Sequence, residues 1–286
     1  MVTERTIQTD RLTMRIREAG EGPLVLCVHG YPDTAHTWDD LLPALANAGF
    51  HAVAPWTRGY PPTDLAPDGD YSVPALGRDM IALADALGAE RFSLVGHDWG
   101  ASTCYFAAGL APERVDKLVT MAIPPIRAVK PGPKVFWTVR HFWWYALPWL
   151  PEREVPANGY AAIRAICKRW SPSWTIPDDE LAHVVASLEA PGGLQGALGY
   201  YRALVRGVFS EAAKESLRVQ GRRLEVPTQL IYGDEDIAAF LYAGDLDRAF
   251  AQGVPHEVVR IQGAGHFVQR EKPARVAQAV LRWLKG

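Results

Sequence analysis

The segment Phe92-Ser-Leu-Val-Gly-His-Asp-Trp-Gly-Ala101 sets a carboxylate where chemistry is expected: an apolar run leads into Gly96-His97-Asp98-Trp99-Gly100 and then into a helical stretch. Small residues two before and two after Asp98 let the chain turn sharply and lift the central side chain above a sheet edge, the strand-turn-helix context of a nucleophile elbow. A plain helix N-cap is the alternative for a lone Asp, and the paired glycines weigh against it. Attack by a carboxylate on acyl carbon would give a reactive anhydride that readily reverts. Asp98 therefore suits displacement at saturated carbon, leaving an alkyl ester on the chain. The candidate reactions are carbon-oxygen and carbon-halogen cleavage.

Such an ester must be released by water, which needs a general base and donors for the developing oxyanion. His266, in Gly263-Ala-Gly-His-Phe267 after the apolar run His256 to Ile261, is the expected base. An orienting acid should follow another strand, and Thr228 to Tyr232 leads into Gly233-Asp-Glu-Asp236. Three acids compete there; Asp236 is the choice, because a solvated turn fits Asp234 and Glu235 better. The amides of Tyr31, in His29-Gly30-Tyr31-Pro32-Asp33, and of Trp99 are the expected oxyanion donors, since both follow strand ends converging on Asp98. The Tyr31-Pro32 bond is a candidate for the cis form, which tight functional turns sometimes use.

These residues need a scaffold that delivers them to one edge. Short β-branched runs at Leu24–Val28, His51–Ala54, Phe92–Val95 and Val115–Met121 alternate with helical patterns over Trp38–Ala48, Pro74–Leu87 and Ala101–Leu110, as in a parallel sheet wrapped by helices. After Ile123-Pro124-Pro125 the rhythm gives way to a stretch dense in Trp, Pro and Arg, helical and without strands, to about Arg206. It resumes at Pro227 and closes with an amphipathic helix, Pro273–Leu284. The expected class is α/β, one domain interrupted by an all-helical insertion. The core is assigned to residues 1–125 and 215–286 and the cap to 126–214.

Composition narrows the partners. The 286 residues are 48% hydrophobic and 22% charged, with a formal net charge of -2 and no basic stripe, which argues against nucleic acid. Cys27, Cys104 and Cys167 lie far apart without CxxC spacing, so neither a disulfide framework nor a metal is expected. The N-terminus lacks the apolar core of a secretory signal, and the greasy stretch Val135–Leu150 is broken by Arg140, His141 and Pro148, short of the roughly 20 apolar residues of a spanning helix. A cytoplasmic protein is expected, with no cofactor.

Asp98, Asp236 and His266 in that order, with His29-Gly-Tyr-Pro32 and Gly96-His-Asp-Trp-Gly100, resemble the α/β-hydrolase epoxide hydrolases, over nearly the whole chain and most closely from Leu24 to Pro125. The resemblance implies an α/β-hydrolase fold: a mostly parallel sheet flanked by helices, with the cap inserted after the sixth strand. Haloalkane dehalogenases, also similar, commonly place Asn or Glu where Tyr31 stands. Fluoroacetate dehalogenases carry arginines beside the nucleophile, where this chain has Trp99 and Ser102.

Epoxide opening needs an acid at the ring oxygen, since an alkoxide leaves poorly. The family uses two cap tyrosines. Gly192-Gly-Leu-Gln-Gly-Ala-Leu-Gly-Tyr-Tyr-Arg202 looks like its second tyrosine motif and maps the role onto Tyr201, with Tyr200 as packing neighbour. Aligning Pro148-Trp-Leu-Pro-Glu152 puts His141 where the first tyrosine is usual; some bacterial members use a His and Tyr pair, and Tyr145 is the fallback. Phe136, Trp137, Phe142, Trp143, Trp144, Tyr145 and Trp149 would make a dry lid for an apolar epoxide. An exposed fraction could mark a homodimer surface or a membrane contact. Trp99, Tyr31, Pro32, Tyr145 and Phe267 are the expected substrate contacts. The implied reaction takes a small apolar epoxide and water to a vicinal diol. Haloalkane dehalogenation and a non-catalytic ligand receptor on the same fold are the competing readings.

Overall fold

The computed structural model describes residues 1–286. It opens with β1 (Thr3–Gln8), β2 (Thr13–Ala19), β3 (Leu24–Val28), α1 (Leu41–Asn47), β4 (His51–Pro55), α2 (Val73–Ala86), β5 (Phe92–His97), α3 (Trp99–Leu110) and β6 (Val115–Met121). Seven helices follow without a strand: α4 (Pro133–Thr138), α5 (Arg140–Tyr145), α6 (Leu150–Glu154), α7 (Ala157–Trp170), α8 (Asp178–Glu189), α9 (Gly193–Arg206) and α10 (Glu211–Gln220). The chain then returns through β7 (Thr228–Gly233), β8 (His256–Ile261), α11 (Val268–Glu271) and α12 (Pro273–Lys285).

The strands form one sheet in the order β1-β2-β4-β3-β5-β6-β7-β8. β1, β2 and β4 pair antiparallel, and every pair from β4 onward is parallel. The continuous apolar run of β3 follows from burial on both faces: Val25 and Cys27 join one apolar cluster, Leu24, Leu26 and Val28 the other. This is the expected α/β-hydrolase fold, with the helices entering after β6.

Two local expectations need correction. The antiparallel pair β1-β2 lay outside the strands read from sequence; of the β1 residues only Ile7 is buried, so its apolar alternation is weak. The segment Trp38–Ala48 is not one helix. Thr34 caps a single 3-10 turn over Ala35–Trp38, and α1 starts afresh at Leu41, with Pro43 in its first turn where no amide bond is lost. Pro74 occupies the first turn of α2 as expected, capped by Ser72. α9 packs on α5 and α8, whereas α10 rests on α2 and α3.

Candidate active site

Parallel pairing brings the carboxyl ends of β3, β5, β7 and β8 to one edge, and each delivers one part of the site. Asp98, between β5 and α3, sits at φ 53° and ψ -118°, a strained conformation for a non-glycine residue. Gly96 and Gly100 make the turn feasible: a Cβ on Gly100 would lie 2.0 Å from the Val28 carbonyl oxygen, and one on Gly96 would lie 2.4 Å from that of Gly100. On the facing loop a Cβ on Gly30 would fall 2.5 Å from the Asp98 side chain. The close approach lets the Tyr31 amide donate to Asp98 Oδ1 at 2.9 Å. The Tyr31-Pro32 peptide is cis. The Trp99 amide, the other expected donor, heads α3 without a bond to the carboxylate.

His266 lies between two acids, with Nδ1 3.0 Å from Asp236 Oδ2 and Nε2 3.5 Å from Asp98 Oδ2. Asp236 Oδ1 accepts the Ala238 amide at 2.8 Å, which fixes the carboxylate. The other two acids of that turn face elsewhere: Asp234 pairs with Arg260, and Glu235 accepts from Ser173. Burial disfavours a charged imidazole at His266, but the charge and hydrogen bond of Asp236, joined by the nearby charge of Asp98, overcome it and push the pKa up to about 10. Burial would likewise raise the Asp98 carboxyl; the imidazolium of His266 beside it outweighs that and holds the group below the usual carboxylate range.

Several side chains that hold this geometry carried no role in the sequence reading. His97 Nε2 donates to the His266 carbonyl at 2.9 Å, and burial drops its pKa to about 3, so the ring stays neutral. Ser171, at the end of α7, accepts the His266 amide at 2.8 Å and donates to Glu271 at 2.7 Å. Asp33, beside Pro32, is wholly buried and meets Arg270 at 2.9 Å, while Arg270 also meets Glu180 of α8 at 2.8 Å. No local pattern announces these contacts, which join residues 100 or more positions apart in most cases.

Tyr201, on α9, is fully buried, and its hydroxyl has no hydrogen-bond partner. Its ring centroid lies 5.3 Å from Tyr31, 5.2 Å from Trp99, 4.9 Å from Tyr145 and 6.0 Å from His141. Burial raises its pKa well above the ordinary phenol value, so it is a neutral donor. Tyr145 stands edge-on to Tyr31, centroids 4.9 Å apart. Tyr200 is differently engaged, donating to Thr57 Oγ1 and the Arg58 carbonyl. His141 lines the cavity over Asp98 and His266 together with Phe142, Val135 and Phe240; burial lowers its pKa to about 3. The Tyr31, Tyr145 and Tyr201 rings thus gather around the elbow. Phe267 packs behind His266 against His97 and Trp174, and neither it nor Tyr31, Pro32, Trp99, Tyr145 or Tyr201 lines that cavity. Trp99 stacks on Phe142 at 5.9 Å, and Pro32 is buried. No cluster of side chains suited to a metal ion is present.

The family model for the alpha/beta hydrolase fold matches residues 23–159. Epoxide hydrolase A of Mycobacterium tuberculosis is 29% identical, with 99% of this chain and 98% of the relative aligned. An epoxide hydrolase of Caballeronia sordidicola is also 29% identical, over 99% of this chain and 94% of the relative. The crystal structure of epoxide hydrolase A from Mycobacterium thermoresistibile superposes with a TM-score of 0.86 at 26% identity, covering 100% of this chain and 99% of that one. The chain has the α/β-hydrolase fold. Within that fold its likeness, end to end, is to epoxide hydrolases.

Proposed function

We propose that this α/β hydrolase opens apolar epoxides to vicinal diols through an ester on Asp98. The carrying observation is the division of the Asp98 carboxylate: Oδ1 accepts the Tyr31 amide at 2.9 Å, while Oδ2 is left facing the site, 3.5 Å from His266 Nε2. Oδ2 attacks one ring carbon, the ring carbon-oxygen bond breaks, and Tyr201 donates its proton to the departing oxygen. An alkoxide is a far stronger base than a phenolate, so a neutral buried phenol serves as the acid. Tyr145 and His141 stand close enough to Tyr201 to share this role.

Alkylation removes the negative charge of Asp98, one of the two acids that keep His266 protonated. The imidazolium proton restores the phenolate, and neutral His266 becomes the base for the second step. It takes a proton from water, which adds to the ester carbonyl; the oxygen that gains charge is Oδ1, already facing the Tyr31 amide. Collapse frees the diol and returns the carboxylate and the imidazolium, so epoxide plus water gives diol with no proton left over.

Incubation with styrene oxide and, separately, with 1-bromobutane tests the reading. Diol without bromide release is expected. Bromide release without diol would assign the chain to dehalogenation, and saturable binding without any product would make it a receptor.

A further inference from the structure

The stretch from Lys117 to Pro151 contains no acidic residue, while Arg127, Lys130, Lys134 and Arg140 all fall within it. The same stretch exposes large aromatic side chains: Phe136 is 59% exposed, Trp137 69% and Trp143 56%. These are bound into one surface. Arg140 lies over the Trp137 ring at 4.5 Å and donates to its carbonyl, and Trp143 follows Arg140 by one turn of α5. Lys134 sits over the Phe240 ring at 4.1 Å. Beside them Trp144, Arg140 and Arg169 border an open apolar groove shared with Ile166. Arg169 donates to the Thr138 carbonyl, and neither it nor Arg140 meets a carboxylate. The opposite side of the same helices, through Val135, Thr138, Val139, His141 and Phe142, lines the cavity over Asp98.

We infer that the outer face of α4 and α5 is a docking surface for a bilayer bearing anionic lipid headgroups. Tryptophans with unpaired cations suit the boundary between apolar chains and phosphates: the rings enter the acyl margin while lysine and arginine stems reach back to the headgroups. The two helices carry no acid of their own, and that composition is complementary to negative lipid. A second copy of the chain is the poorer occupant, because a two-fold contact would oppose like charges with no acid on α4 or α5 to relieve them. No helix is long and apolar enough to cross the membrane, so the contact is superficial. Docked this way, the wall of the cavity faces the phase in which an apolar epoxide dissolves. That consequence rests on the proposed activity; the docking does not.

Co-sedimentation with vesicles of phosphatidylcholine, alone or mixed with phosphatidylglycerol, tests it without turnover. Wild-type protein should pellet with the mixed vesicles and much less with the neutral ones. Lys134→Gln with Arg140→Gln should weaken partitioning roughly 25-fold, about fivefold per cation. Trp137→Ser with Trp143→Ser should also release the protein, and both variants should keep the wild-type far-ultraviolet circular dichroism and urea midpoint in lipid-free buffer, which reports an intact fold. Absence of pelleting, or pelleting unchanged in the variants, overturns the inference. So does a dimer in sedimentation equilibrium that Trp137→Ser with Trp143→Ser dissolves, which would give the patch to a second copy.

Discussion

The Tyr31 backbone amide donates to Asp98 Oδ1 across 67 residues of sequence, at 2.9 Å, and Gly30 makes the approach possible because a Cβ there would strike the Asp98 side chain at 2.5 Å. Gly30→Ala should therefore push the loop off the elbow. We expect kcat to fall by at least about tenfold, as loss of a preorganised donor commonly costs more than that, with little change in the far-ultraviolet circular dichroism. Unchanged turnover would show that the amide contact does not matter to the reaction.

His266→Gln removes the proposed base while leaving Asp98 free to alkylate. The variant should accumulate a substrate-sized mass increment on the peptide carrying Asp98, with steady-state turnover down by about 10²- to 10⁴-fold. An increment on another peptide would move the nucleophile elsewhere.

Tyr201→Phe keeps the ring that packs on Tyr31, Trp99 and Tyr145 and deletes only the unpartnered hydroxyl. Pre-steady-state alkylation should slow by roughly 10²-fold. Tyr145→Phe should slow it too if the two phenols share the oxygen. A full rate in Tyr201→Phe, paired with a slow His141→Gln, would hand the proton to His141.

The His266 imidazolium also links stability to pH. Its folded pKa is about 10, above the ordinary value of 6.5, so the native state binds the extra proton between them. That contribution is fully present below about pH 6.5 and is lost as pH rises through about 10. Urea midpoints should fall across this window in wild type. In Asp236→Asn, where the largest favourable partner is gone, the fall should flatten; an equally steep profile would place the proton on another group.

Arg270 links Asp33 of the core to Glu180 of α8, both at hydrogen-bonding distance, with the Arg270 side chain 5% exposed and that of Asp33 fully enclosed. Arg270→Ala leaves Asp33 buried without its counter-charge. The expected loss is about 3–5 kcal/mol in urea unfolding. A loss within experimental error would mean that Asp33 is held protonated, in line with the upward push that burial gives its carboxyl.

The sheet and the elbow were legible because their signals are local. β3 and β5 read as strands from unbroken apolar runs, and glycines at fixed offsets from Asp98 marked the turn. His266 and Asp236 could be picked out because each follows a recognisable strand in chain order. Choosing Asp236 from three neighbouring acids rested on turn chemistry, and the geometry gives Asp234 to Arg260 instead. What sequence could not reveal are contacts between distant segments: Ser171 at the end of α7 reaching the His266 loop, His97 bonding the His266 carbonyl, Asp33 meeting Arg270. Nor does helical spacing in so short a segment tell which aromatic of α4 and α5 turns inward. Phe142 turns to the cavity, Tyr145 to Tyr31 and Tyr201, and Trp143 to the outside.

The most direct test is a single turnover in ¹⁸O-enriched water with enzyme in excess over epoxide. If water cleaves an aspartyl ester at its carbonyl, the first diol carries no heavy oxygen and mass spectrometry finds it in the Asp98 carboxylate. Heavy oxygen in the first diol, with the Asp98 peptide unlabelled, would mean that water opens the ring directly and no ester forms.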